Sequence, residues 1–222
     1  MMRRHLFIHR VSFSLLCLIG IATSNLALAD IPAGNYTLDK AHASLIFRVN
    51  HLGFSMYTAR FINFDAQLKF DPSQLEKSHL RAEVDARSLE TDFPTPELLD
   101  FNAQLQGPDW LATEKFPTMI YESKKITALG DNKMQVEGML TLKGVTKPVT
   151  LNVSYNGGWQ GIPQDPHARI GFSAHTQIKR SDFNISVGIP APGTTMGVSD
   201  AVDIIIEAEF SGPEWQPPKS NN

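Results

Sequence analysis

The stretch "IKRSDFNIS", residues 178–186, places Arg180, Ser181 and Asp182 side by side, with His175 just upstream. Serine, histidine and aspartate are the residue types of nucleophilic hydrolysis: imidazole takes the proton of the attacking hydroxyl and a carboxylate orients the ring. The spacing argues against that chemistry. Alternating residues carry an extended run through Lys179, and six extended residues separate His175 from Ser181 by roughly 20 Å at ~3.3 Å each. Triad members approach to about 3 Å. His175 also falls on the polar parity of that run, and no G-x-S-x-G elbow presents Ser181. His42, His51, His79 or His167 would have to reach it through the tertiary fold.

Without catalysis, Ser181 and Asp182 suit a capped turn after the strand. Arg180 shares the parity of Ile170 through Ile178, so it points to the apolar side at the strand's end, with Asp182 as its local charge partner. It either closes that end by hydrogen bonds and aromatic stacking or meets the head of a ligand. His42 and His51 are nine residues apart with no carboxylate at matched spacing, which is a poor metal signature. Hydrogen-bonded histidines at strand ends are the simpler expectation. No metal and no cofactor are implied.

These residues must be positioned by strands. Period-2 alternation dominates the chain. Met134, Val136, Gly138 and Leu140 share one face of "MQVEGML", and Leu80, Ala82 and Val84 one face of "LRAEVDA". Ile170, Phe172, Ala174, Thr176 and Ile178 alternate with Arg169, Ser173, His175, Gln177 and Lys179, while Ile204, Ile206, Ala208 and Phe210 oppose Asp203, Glu207 and Glu209. Further strands fit residues 43–51, 59–70, 119–126 and 145–155. One apolar and one polar face per strand predicts a mainly β chain, an antiparallel barrel or sandwich. In "LTLKGVTKPVTL", Lys143-Gly144 marks a hairpin turn, and Pro148 belongs where its missing N–H faces no partner strand.

One stretch breaks the pattern. In residues 93–117, Thr95 is a candidate cap, Pro96 fits the first helical position and Gly107-Pro108 stops a helix. The spacing predicts a helix over 95–106, with Trp110 in the next turn, inside a helical insertion of about 95–112 that covers one end of the β structure and gates entry.

The N-terminus "MMRRHLFIHRVSFSLLCLIGIATSNLALAD" has a basic region at Arg3, Arg4 and Arg10, an apolar core over 11–22 and an A-x-A site at 27–29. This predicts a signal peptide cleaved after Ala29, and hence a periplasmic or secreted protein. The single Cys17 lies inside that segment, so the mature chain has no cysteine and no disulfide; 193 residues suffice for an ordinary core. Cleavage removes three of 20 Lys+Arg and none of 23 Asp+Glu, so the mature formal charge is 17 − 23 = −6. That argues against nucleic acid or an anionic membrane surface as partner. No stretch of the mature chain is apolar enough to cross a bilayer. One domain over 30–212 is expected, with residues 213–222 a flexible tail; the oligomeric state is not legible.

"YTLDKAHASLIFRVNHLGFS", "VEGMLTLKGVTKPVTL", "RSDFNIS" and "VSDAVDIIIEAEF" resemble the YceI-like family of bacterial secreted proteins over roughly residues 36–210. The resemblance implies a lipocalin-like barrel of about eight strands, a long isoprenoid or similar lipid in its lumen, and no catalysis. Parity points Leu45, Phe47, Val49, Phe64, Leu68, Leu80, Val84, Tyr121, Met134, Val136, Leu140, Val149, Leu151, Val153, Ile170, Phe172, Ile204 and Ile206 inward. By parity alone these residues either fill a solid core or line a cavity, since an eight-stranded barrel is built both ways; the resemblance favours the cavity. Arg180, Asp182 and Trp110 are the candidate mouth or barrel-closing contacts. The rival readings are an esterase-like enzyme using the lumen as its pocket, and a stress-related interaction module without a small ligand.

Overall fold

Ten antiparallel strands follow one another around a single closed sheet in a computed structural model that describes residues 31–214. Residues 1–30, where the signal peptide is expected, and residues 215–222 lie outside the described residues. The strands are β1 (Gly34–His51), β2 (Ser55–Phe61), β3 (Phe64–Phe70), β4 (His79–Asp85), β5 (Leu89–Glu90), β6 (Thr118–Gly130), β7 (Lys133–Leu142), β8 (Val145–Trp159), β9 (His167–Lys179) and β10 (Val198–Glu214). β10 pairs with both β9 and β1, which closes the ring.

The ring is eight-stranded because two of its members are broken. One edge of β1 pairs with β3 over Gly34–Thr37 and with β2 over Leu45–His51. The single strand predicted over 59–70 is thus the junction of β2 and β3, interrupted at Ile62-Asn63. β4 and β5 are a second broken strand, separated by a 3₁₀ turn at Ala86–Ser88. The Ser88 hydroxyl spans both breaks. It accepts from the Asn63 N–H at 3.0 Å and donates to the Asp85 carbonyl at 2.7 Å, replacing ladder bonds that the kink removes.

Local chemistry explains the sharp joins. Lys143 (φ 49°) and Gly144 (φ 76°) are both left-handed, as a type I′ hairpin requires. Pro148 lies opposite Met139 on β7, in a part of β8 that β9 does not reach, since that pairing begins at Asn152. β10 extends to Glu214, so Pro213 and Glu214 belong to the barrel, not to a tail beginning at 213: the strand stays paired through Glu214↔His167.

The crossover from β5 to β6 contains the short helix α1 (Phe101–Gln106). It begins at Asp100, whose carboxylate accepts from the Ala103 N–H at 2.9 Å, and not at Thr95 as expected. The Thr95 carbonyl closes only an isolated turn with Leu98 and Leu99. Those two leucines remain exposed, so a helix continued back to Thr95 would have no apolar face to bury and nothing to stabilise so short a segment. Gly107 ends α1 as expected. Two apolar clusters fill the barrel's ends. One gathers Tyr36, Phe70, Tyr155, Ile170 and Phe210; the other gathers Phe61, Leu89, Leu142, Phe183 and Ile185, with Trp110 and Leu111 packed on it.

Candidate binding cavity

Between those clusters lies a cavity of about 550 Å³. Every residue expected to face inward is on its wall except Ile170. Ile170 has the right parity but the wrong height: it is 1 % exposed in the packed cluster at the far end, where Ala168 and Tyr155 leave it no free space. Sequence reading missed other wall residues, among them Phe61 and Phe70 at strand ends, Met119, and Phe93, Phe101 and Leu111 from the crossover. Phe70 and Met119 carry the same period-2 signal as those expected, whereas Phe61 has the opposite parity to Phe64 and turns inward because the break at Ile62-Asn63 shifts the alternation. The crossover segment's place over one end was expected from its break in the β pattern, but which of its side chains, beyond Trp110, face the cavity is decided by the tertiary fold.

Gly138 shows how tightly the wall is built. A Cβ there would lie 2.5 Å from the Tyr121 ring and 2.7 Å from the Glu122 carbonyl. The glycine therefore makes room for the Tyr121 phenol, which donates into the carbonyls of Val136 at 2.8 Å and Val149 at 3.2 Å. Burial pushes the Tyr121 pKa up, with Glu137 adding to it, and pushes Tyr36 up to about 12, with Tyr155 adding to it. Both phenols face the interior as neutral groups.

Glu122 and Lys124, the titratable side chains nearest the inward face of β6, stay outside and pair with each other at 3.0 Å. A bulge between Ser123 and Lys125 takes up the change of register without turning either charge inward.

The crossover is pinned at the barrel end by its polar side chains. Asn102 Oδ1 accepts from the Thr91 N–H at 3.0 Å and from its hydroxyl at 2.6 Å, and Asn102 Nδ2 donates to Glu90 at 3.2 Å. The Tyr57 hydroxyl donates to the Thr91 carbonyl, and its ring meets Phe101 edge-on at 6.0 Å. Phe93, Phe101, Leu105, Trp110 and Leu111 face the cavity from this segment.

The "RSDF" stretch is a 3₁₀ turn, Arg180–Phe183, at the same end. Arg180 is buried and points inward, as parity requires. Its partner is not Asp182. The turn that follows the strand abolishes the alternation, and Asp182 ends exposed to water. Arg180 donates instead to three main-chain carbonyls, and its Cζ lies 5.5 Å from the centre of the Trp110 ring. Ser181 donates from its N–H and hydroxyl to Asp200, at 2.9 and 2.8 Å. His175 is exposed on the outer wall opposite Ile205. Ser181 is held on Asp200 in the turn beyond β9 while His175 stands exposed on the strand's outer face, and no hydrolytic pair forms between them.

The two β1 histidines also part. His42 bonds Asp39 at 3.1 Å and lies 3.9 Å from Glu209, while Arg169 reaches the same Asp39 carboxylate at 2.9 Å. Hydrogen bonding to Asp39 raises the His42 pKa, and the same bond lowers that of Asp39. A guanidinium already neutralises the carboxylate that a metal ion would need. His51 stands at the other end of β1, beside the cavity rim.

The model of the YceI-like domain matches residues 36–210. The chain belongs to the YceI-like family. A UPF0312 protein of Vibrio cholerae is 32% identical over 191 residues, covering 82% of this chain and 92% of the relative. The crystal structure of Burkholderia cenocepacia BcnA is similar at 27% identity and a TM-score of 0.65, covering 78% of this chain and 98% of that one. A polyisoprenoid binding domain from Saccharophagus degradans has the same fold at 16% identity and a TM-score of 0.55, over 82% of this chain and 100% of that one. In this YceI-like barrel, Arg180 and the crossover meet at one end of the cavity, and the aromatic cluster of Tyr36, Phe70 and Phe210 packs the other. Among the described residues, no helix is long and apolar enough to cross a membrane.

Proposed function

We propose that this YceI-like barrel binds and carries a long apolar ligand, a polyisoprenoid or similar lipid, without transforming it, in the periplasm or outside the cell after removal of residues 1–29. One observation carries the reading: a cavity of about 550 Å³ whose wall is almost wholly hydrocarbon and aromatic. That volume falls in the range of small-molecule sites. Binding there is desolvation. Removing ~300 Å² of apolar ligand surface from water contributes about 7 kcal/mol before ordering costs. The Saccharophagus degradans neighbour is a polyisoprenoid binding domain; its likeness supports the fold alone, and the ligand class rests on the cavity. A hydrolase needs convergent titratable groups, and the candidates His175, Glu122 and Lys124 lie on the outer side of the wall.

The test is native mass spectrometry of protein purified from the periplasm, followed by lipid extraction. A stoichiometric lipid is expected, on a polypeptide whose intact mass lacks residues 1–29. Val136→Trp fills the lumen and should release the lipid from a folded barrel. Stoichiometric lipid on folded Val136→Trp protein would remove the cavity as the binding site, and a mass retaining residues 1–29 would refute the cleavage.

A further inference from the structure

Arg180 is the only permanently charged side chain among the described residues that line the cavity, and it is 4 % exposed. A guanidinium carries five N–H donors. Three are used: Nε donates to the Ser199 carbonyl at 2.9 Å, one terminal nitrogen to Ile185 at 3.0 Å and the other to Val198 at 2.8 Å. Two N–H bonds, one on each terminal nitrogen, are left without an acceptor among the described residues.

The charge is likewise unmatched. No carboxylate forms an ion pair with Arg180 among the described residues. The neighbouring acid, Asp200, is turned to Ser181 and accepts both its N–H and its hydroxyl. Carbonyl dipoles and the Trp110 face solvate a cation without neutralising it. Burial accordingly pushes the Arg180 pKa down, and the more distant Asp200 offsets this only in part. A purely structural arginine does not require that arrangement. A buried cation at a hydrocarbon wall is costly unless a counter-charge completes it, and its fork suits two oxygens of one acid.

We propose that the occupant of this cavity is an anionic amphiphile whose carboxylate or phosphate oxygens dock on Arg180 beside Trp110, with its chain lying along the apolar wall. This rests on the lipid-binding reading above. A fatty acid and an isoprenyl phosphate share the chemistry, and the probes separate them.

Delipidated protein is titrated with palmitate, hexadecanol, geranylgeranyl monophosphate and geranylgeraniol. The acid of at least one pair should bind about tenfold or more tightly than its alcohol, the range of a charge-assisted hydrogen bond; the pair that shows it identifies the chain class. Arg180→Lys, which keeps the charge but loses the fork, should narrow that ratio. Arg180→Gln should erase it where the variant folds. Because Arg180 also supports the fold, the wild-type Arg180 Nε–H resonance supplies a second readout: it should shift with the acid and not with the alcohol. Equal affinity for acid and alcohol in both pairs, with that resonance unmoved, would overturn the headgroup inference and leave lipid binding standing. Binding of none of the four probes would overturn the lipid-binding reading and this inference with it.

Discussion

The Arg180 guanidinium ties the start of β10, through Val198 and Ser199, to Ile185 beyond the 3₁₀ turn. Arg180→Ala leaves one buried and two half-buried carbonyls without that donor, and the loss should be roughly 3 kcal/mol. Ser181→Ala removes one hydroxyl bond to Asp200 and should cost about 1 kcal/mol. Paired thermal melts check the ordering: a marked drop in Tm for Arg180→Ala, a small one for Ser181→Ala, and lipid retained in the latter. Esterase activity abolished by Ser181→Ala at unchanged stability would instead restore the hydrolase reading. Gly138 makes a second case. The methyl of Gly138→Ala meets the Tyr121 ring and also the fixed Glu122 carbonyl, so repacking one side chain does not relieve it. About 1–3 kcal/mol of destabilisation is expected in chemical denaturation, and an unchanged midpoint would show that the Tyr121 wall is looser than drawn.

At the scale of elements, α1 is too short to be stable alone, and its position depends on what holds it. Asn102 is the principal tie, joining the helix to Thr91 and Glu90. Asn102→Ala should loosen the crossover over residues 93–111 while the closed sheet stays intact. Hydrogen exchange should accelerate in that segment alone, and bound lipid should leave faster. Faster exchange with an unchanged lipid off-rate would mean that the crossover covers the barrel end without gating it.

For the whole molecule, the barrel interior, packed end and cavity wall alike, holds phenols buried in their neutral form. Tyr36, Tyr121 and Tyr155 all have raised pKa values, with burial as the main cause, and Tyr36 reaches about 12. A folded-state pKa above the unfolded value of about 10 means stability that is complete below pH ~10. It is then lost as pH rises through the folded value. The chain has four tyrosines, so an ultraviolet titration should show far less than four phenols ionising near pH ~10. The remainder should appear together with alkaline unfolding. Four phenols titrating together near pH ~10 on an intact fold would contradict the packing of that interior.

Alternation by itself determined the mainly β class and the inward face of each strand: period 2 is a local property, and one buried side is enough to impose it. It placed Phe47, Val136 and Phe172 on the interior and His175 outside, and Gly107 marked the stop of α1 by an equally local signal. Height along the barrel was beyond it. Ile170 and Phe172 share one face of β9, yet one is packed in the end cluster and the other borders the cavity, because the distinction depends on strand tilt and on what closes each end. The same holds for Asp182 and for Thr95. Their local chemistry favoured a partner for Arg180 and a helix cap, but the 3₁₀ turn sent the first to water and an exposed Leu98-Leu99 pair left the second without a helix to cap. Only tertiary structure brought the carbonyls of Ile185, Val198 and Ser199 around Arg180, since those contacts form when β10 closes the ring against β1 and no spacing in the chain records where that closure falls.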